Sequence, residues 1–218
     1  MLAESALELV PKELQSHSSI VSHSRRTGKK PSEIILDVSF HYAAMKGMKN
    51  ESKRGRPDLV HFSLLEACYI PLYLEGKLAV YVHTIDDKVI FVGENVRLPK
   101  SYHRFVGLIE KLYSEGEVVS EGKKLLEIKD MTFSSLIEEI SPVKVVGLTT
   151  DGLPSSYSAV AQNMSNESCL VVGGFAKGHF SNKIRKRFDK VFKVDKSSLD
   201  AHIIVSRMLY EYEKTIFK

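Results

Sequence analysis

Three short segments carry residue types able to bind a ligand through the main chain or through hydroxyls. The first is VVGGFAKGHF, with Gly173, Gly174 and Gly178 directly after the apolar run Leu170-Val171-Val172. Glycines in that place admit positive φ and let backbone amides come close to a ligand. Their spacing is not GxGxxG, and no Gly-Lys-Ser/Thr follows, so neither a dinucleotide fingerprint nor a P-loop is present. A ligand loop and a simple tight turn both fit this spacing. The second segment is Thr149-Thr150-Asp151-Gly152 after the apolar run 143–148, and the third is Asp195-Lys196-Ser197-Ser198 after 191–194. Ligands of parallel sheets bind beyond the carboxyl ends of the strands, so three such loops can converge on one pocket. Ser197 or Ser198 also reads as a helix cap with Asp200 near the helix start, a role compatible with ligand binding.

A second kind of chemistry sits in RGRPD at 54–58 and VRLPKSYHRF at 96–105, where arginine and lysine interleave with Tyr102 and Phe105. Guanidinium forks suit phosphates, and aromatic rings suit unstacked bases. Phe105 shares a helical stripe with Leu108 and Leu112 and reads as core. The net charge of +4 is modest, but the cations cluster in 24–30, 46–56 and 183–190, as a localised polyanion site requires. No nucleophile triad, paired carboxylates or metal-ligand spacing stands out, so no metal is expected. The eight histidines are scattered, and His61 and His83 read as structural. A reaction whose reactive carbon is carried by a cofactor needs few protein catalytic groups.

The elements that position these loops follow from periodicity. Residues 4–15 read as a helix interrupted by Pro11, 16–32 as a polar loop, and Ile34-Ile35-Leu36-Asp37-Val38 as a buried strand. Tyr42 to Lys49 suggests a helical turn or two. Pro57 and Asp58 open a helix whose stripe includes Leu59, Phe62, Leu64 and Leu65. Residues 78–83 and 89–92 flank Asp86-Asp87 as a hairpin, read as a β-rich insertion spanning 73–100. A helix follows at 103–113, a strand at 125–128 and a helix at 132–139. The last third alternates strand and helix, ending in a helix from near Ser198 to Lys214, which argues for an α/β core with a mainly parallel sheet.

The 218 residues suit one domain, and a 43% apolar content supports a real core. Cys68 and Cys169 read as buried thiols. No apolar run approaches a membrane span, and the acidic N-terminus lacks the basic region of a secretory leader. A cytoplasmic protein without membrane attachment is expected.

RGRPDLVHFSLLEA, EGKLAVYVHT and VRLPKSYHRFVGLIEKLY, with VGGFAKGHFS and SSLDAHIIVSRMLYEYE, resemble the pseudouridine N1-specific methyltransferases of small-subunit ribosome biogenesis. The resemblance runs in order from about residue 3 to 214. It implies a SPOUT-type α/β fold whose region 143–214 threads a trefoil knot, in a single domain over 1–218. It also implies S-adenosyl-L-methionine as cofactor, a homodimer, and small-subunit rRNA and other ribosome assembly factors as partners. The implied cofactor residues are Leu148 and Thr149; Gly173, Gly178, His179 and Phe180; and Val194, Asp195, Lys196, Ser197, Ser198 and Leu199. The implied RNA contacts are Arg54, Arg56, Arg97, Lys100 and Arg104, with Asp58 orienting the target base or accepting its proton. Lysine stands at 100 where the family often has arginine, which keeps the charge and loses the bidentate fork. An RNA-binding assembly factor with a non-catalytic pocket is the alternative, against which the intact glycines speak. A SPOUT enzyme for another base is a third reading, against which the two arginine-rich motifs speak.

Overall fold

The structure, a computed structural model, describes residues 1–217. In chain order its elements are β1 (Leu2–Ser5), α1 (Ser18–Thr27), α2 (Val38–Met45), α3 (Pro57–Cys68), α4 (Pro71–Leu74), β2 (Val80–Thr84), β3 (Lys88–Val92), α5 (Tyr102–Glu115), β4 (Glu117–Ser120), β5 (Lys123–Asp130), α6 (Phe133–Ile140), β6 (Lys144–Pro154), α7 (Tyr157–Gln162), β7 (Ser168–Gly173), α8 (Asn182–Arg185), β8 (Lys190–Lys193) and α9 (Ala201–Ile216). Among the described residues the strands form one sheet of eight, ordered β4-β5-β3-β2-β1-β7-β6-β8. The run β2-β1-β7-β6-β8 is parallel, and β3, β5 and β4 extend it as an antiparallel meander. The segment 73–100 therefore enters the sheet itself, because β2 joins the parallel half to the meander.

The period-2 alternation of strands sorts side chains to two cores. Ala3, Val145 and Val171 face α6 and α8 through Phe133, Ile137 and Ile184. Leu2, Val146, Leu148 and Val172 face α3, α5 and α9 through Val60, Leu64, Phe105, Val205 and Met208. Each such apolar side chain contributes roughly 1.5–3 kcal/mol on burial. Phe105, Ile109 and Leu112 form the expected stripe on α5, which stops where Gly116 turns left-handed at φ +80°. On α3 the buried stripe runs through Val60, Leu64 and Ala67, and Phe62 points outward at 45% exposure. Both thiols are buried and free, and burial pushes Cys68 up to about 12.

The N-terminal third departs from expectation. Residues 4–15 hold no α-helix: Leu2–Ser5 is a strand paired on both edges, and only Lys12–Leu14 makes a 3-10 turn. Polar Glu4 and Ser5 hide a strand that is buried throughout. Residues 16–32, expected as loop, contain α1, which His17 caps by accepting from the Ser19 N–H at 3.2 Å and Gly28 ends at φ +68°. Ile34–Val38 makes one antiparallel bridge, Ile35 to Leu9, and then hands over to α2, whose N-cap Asp37 accepts from the Ser39 N–H at 2.8 Å. A small core of Val10, Ile20, Ile34, Leu36, Ala44 and Met45 holds α1 and α2 together.

Candidate active site

At the bulge of β6 and beyond the carboxyl ends of β7 and β8 the structure holds a cavity of about 430 Å³. Leu148 and Thr149 line it from the first loop, Gly173, Gly178, His179 and Phe180 from the second, and Val194, Asp195, Lys196, Ser197, Ser198 and Leu199 from the third. All the residues expected to hold a cofactor thus meet in one place.

Each loop is built by local chemistry. Leu148 and Leu153 both stand opposite Phe192, so residues 149–152 leave the ladder as a bulge. Within it Asp151 accepts from the Thr149 hydroxyl at 2.6 Å and from Arg185 Nη1 at 2.6 Å. These two hydrogen bonds, the hydroxyl's foremost, hold the Asp151 carboxyl below the usual carboxylate range. His179 Nδ1 lies 3.9 Å from the same carboxylate, which ties the first loop to the second. In the second loop a Cβ on Gly174 would lie 2.8 Å from the Ser5 Cα, so only glycine lets β1 approach. Gly178 sits at φ +110°, a conformation that L side chains avoid. Phe180 is buried edge-on against Phe188, with ring centroids 5.2 Å apart, and forms a wall. In the third loop Asp195 accepts from the Ser197 N–H at 3.0 Å and pairs with Arg207 at 3.2 Å. The N-cap of α9 is Asp200, so Ser197 and Ser198 do not cap it and stay exposed at the cavity.

Sequence reasoning missed Glu4. It is buried, has a left-handed backbone at φ +48°, and stands at the end of β1. Its carboxylate accepts from Lys53 Nζ at 2.8 Å and from the Ser181 N–H at 3.2 and 3.1 Å. Lys53 in turn lies 4.5 Å over the Phe175 ring, and its Cε is the atom nearest to a Cβ built on Gly178. One buried ion pair therefore braces both ends of the glycine loop. The legible signal was an acid inside an apolar N-terminal run, facing a lysine of a basic segment.

The basic run 46–56 is only partly a surface. Lys53 serves Glu4, and Arg54 grips Glu8 with Nε at 2.7 Å and with Nη2. Burial pushes Glu8 up although Arg54 pulls it down, and that internal pairing occupies the Arg54 fork. Arg56 donates through Nε at 2.9 Å and Nη2 at 2.8 Å to the two oxygens of Asp58, in the first turn of α3. The Asp58 hydrogen bonds raise the Arg56 pKa, and the charges of Asp58, Asp200 and Asp37 add to this. Arg97, Lys100 and Arg104 are exposed and form no ion pair among the described residues, and Lys100 Nζ lies 5.5 Å over the Tyr69 ring. His61 is structural: its Nε2–H donates to the Pro99 carbonyl at 2.7 Å, and its ring stacks on Phe105 at 4.3 Å, which pins the 96–101 loop. His83 is structural too, accepting from the Glu4 N–H at 3.2 Å and donating to Asp87 at 3.0 Å.

Three loops of a parallel sheet that meet around one cavity define an α/β protein with a ligand site of the kind such sheets carry. Residues 1–213 match the family described as EMG1/NEP1 methyltransferase. "Ribosomal RNA small subunit methyltransferase Nep1" of Staphylothermus marinus is 43% identical over 211 residues, covering 96% of this chain and 92% of the relative. Its namesake from Thermococcus sibiricus is 39% identical, covering 99% and 97%. The crystal structure of Archaeoglobus fulgidus Nep1 bound to S-adenosylhomocysteine superposes with a TM-score of 0.89 at 32% identity, covering 100% of this chain and 97% of that one. The chain belongs to the EMG1/NEP1 methyltransferase family.

Proposed function

We propose that this chain transfers a methyl group from S-adenosyl-L-methionine to N1 of a pseudouridine in small-subunit rRNA. The observation that carries the reading is the cavity where the loops after β7 and β8 meet the bulge of β6, in a chain whose Arg97, Lys100 and Arg104 are exposed and form no ion pair among the described residues. The residues present fit the cofactor. Main chain at Gly173 and Gly178 admits close approach, Leu148, Leu199 and Ile204 offer apolar walls, and Thr149, Ser197 and Ser198 offer hydroxyls. When bound, the cofactor supplies an electrophilic methyl on a sulfonium.

The chain's own task is orientation. Arg97, Lys100 and Arg104 hold the phosphates of the strand that presents the base. The target base is flipped out of its loop toward the cavity. Arg56 holds both oxygens of Asp58, so the carboxylate has a fixed direction, and its remaining lone pairs accept the N1–H of the base and take up that proton as N1 gains the methyl. The surrounding cations favour the deprotonated nitrogen. Arg54, gripped by Glu8, supports this loop from inside. The region 143–214 threads the trefoil knot of its class. The enzyme works as a homodimer in the cytoplasm, alongside ribosome assembly factors. The outward-facing Phe62, 5.7 Å from His202 on α9, supports a second copy on that face.

The test is transfer of labelled methyl to a short rRNA hairpin carrying pseudouridine or uridine at the loop target. Methylation of the pseudouridine hairpin alone is expected. Equal methylation of both would overturn the N1 assignment, and tight hairpin binding without any transfer would overturn the enzyme reading.

A further inference from the structure

A second cavity, of about 460 Å³, opens between α1, α2 and α5, lined by His23, Arg26, Phe40, Tyr102, His103 and Glu110 among others. Nothing in the methyl-transfer reading uses it. Its chemistry is set by a chain of hydrogen bonds starting from the main chain. The Asp37 N–H donates to His41 Nδ1 at 3.0 Å, so the His41 proton sits on Nε2. That proton points at His23 Nδ1, 2.8 Å away. His23 is therefore an acceptor at Nδ1 and carries its own proton on Nε2. Burial keeps His41 neutral, near 4, and burial with Arg26 holds His23 below the usual imidazole range.

The His23 ring lies 4.4 Å from Phe40, tilted by 36°, and the Arg26 guanidinium lies 5.1 Å over the Phe40 ring. Phe40 is 38% exposed, so part of its ring is open. The acids at this place are occupied. Glu110 accepts from the Ile35 N–H at 3.0 Å and pairs with Lys29. Asp37 accepts from the Tyr102 hydroxyl and from the Ser39 N–H at 2.8 Å. The cavity thus offers a partly exposed aromatic ring, an N–H donor and a guanidinium. A π-face beside cations suits a nucleobase with its phosphate, since stacking is sequence-tolerant and the charge holds the backbone. Tyr102 and His103, in its wall, directly precede Arg104, one of the cations assigned to the RNA.

We propose that the α1–α2 cavity binds an unpaired nucleotide of the same rRNA substrate, distinct from the methylated one, by stacking its base on Phe40 and holding its phosphate with Arg26. The inference rests on the reading of small-subunit rRNA as substrate. Its test is hairpin affinity and S-adenosylhomocysteine affinity of wild type, Phe40→Ala and Phe40→Leu, with Arg26→Gln as a fourth protein. Leucine keeps apolar bulk and removes the π-face, so a merely packing role would spare that variant. Both Phe40 variants should raise the hairpin Kd roughly 5- to 50-fold. Arg26→Gln should lower the slope of log K against log salt by about 0.7. Cofactor affinity and melting temperature should stay at wild-type values. Wild-type hairpin affinity in both Phe40 variants would overturn this proposal alone. Failure of the wild type to bind the hairpin at all would overturn the rRNA reading and this with it. Competition by an oligoglutamate peptide but not by oligouridylate would overturn it in favour of an acidic protein partner.

Discussion

Replacing Glu4 by glutamine asks whether the buried acid at the end of β1 shapes the second loop of the cavity. The carboxylate serves Lys53 Nζ at 2.8 Å and the Ser181 N–H through both oxygens, with side-chain exposures of 13% for Lys53 and 9% for Glu4. Glutamine keeps the volume and one acceptor but leaves the ammonium without its counter-charge. Breaking a buried pair by removing one partner costs about 3–5 kcal/mol. The retained amide oxygen and the residual exposure of Lys53 reduce that to roughly 2–3 kcal/mol. At this size of protein that is a fall in Tm of about 5–10 °C. A second effect is local. The φ of +48° at Glu4 is a conformation costing about 1 kcal/mol, sustained by these contacts. Without them the end of β1 relaxes and Ser181 loses its anchor, so S-adenosylhomocysteine should bind about tenfold more weakly by calorimetry. Glu4→Gln combined with Lys53→Met should recover much of the stability, because the orphaned charge is gone. A lower Tm with unchanged cofactor affinity would refute the claim that the pair positions the loop. An unchanged Tm would refute the claim that the pair stabilises the fold.

Other outcomes follow from the same geometry. Gly174→Ala places a Cβ 2.8 Å from the Ser5 Cα, so it should cost about 1–3 kcal/mol in chemical denaturation and weaken cofactor binding measured by calorimetry. Arg97→Ala and Arg104→Ala should weaken hairpin binding in filter assays, each lowering the salt slope by about 0.7, with cofactor affinity intact. His41, lowered by burial from 6.5 to about 4, contributes stability that is complete above pH 6.5 and lost as the pH falls toward 4. The full loss is roughly 3 kcal/mol, and urea titrations at pH 7.5 and 4.5 should show a smaller difference in His41→Gln. Asp58→Asn should cut methyl transfer at least tenfold in single-turnover assays while hairpin Kd stays near the wild-type value.

The sequence was most legible where one physical rule acted alone. The stripe Phe105, Leu108, Ile109, Leu112 and the apolar run 143–148 set α5 and the first part of β6 without help from the tertiary structure. The three strand-end loops were readable as candidates only, since tight turns and helix caps use the same glycine and hydroxyl residues, and it was the resemblance that assigned them to a cofactor. What stayed hidden depended on distant partners. Leu2–Ser5 is a strand only because β2 and β7 lie on its two edges, and its buried acid is tolerated only because Lys53 and Ser181 meet it. The basic run 46–56 looked uniform on paper, and yet Lys53 and Arg54 point inward to Glu4 and Glu8. Charge counts cannot separate cations that face solvent from cations that neutralise buried acids. The α1–α2 histidine chain was likewise invisible, since it links ring nitrogens of residues 18 positions apart.

The central place of β1 has a consequence for how the chain matures. This strand lies far ahead in the chain of β7, which completes its other edge. Long-range parallel pairing of this kind is slow, because the loop must close before any contact rewards it. Until Ser168–Gly173 arrives, one edge of a buried, apolar strand stands open, and such an edge invites pairing with other chains. The ligand cavity is later still, since its third loop follows β8. A small molecule that fills the cavity therefore engages only finished chains, and by mass action it withdraws them from the unfolded pool.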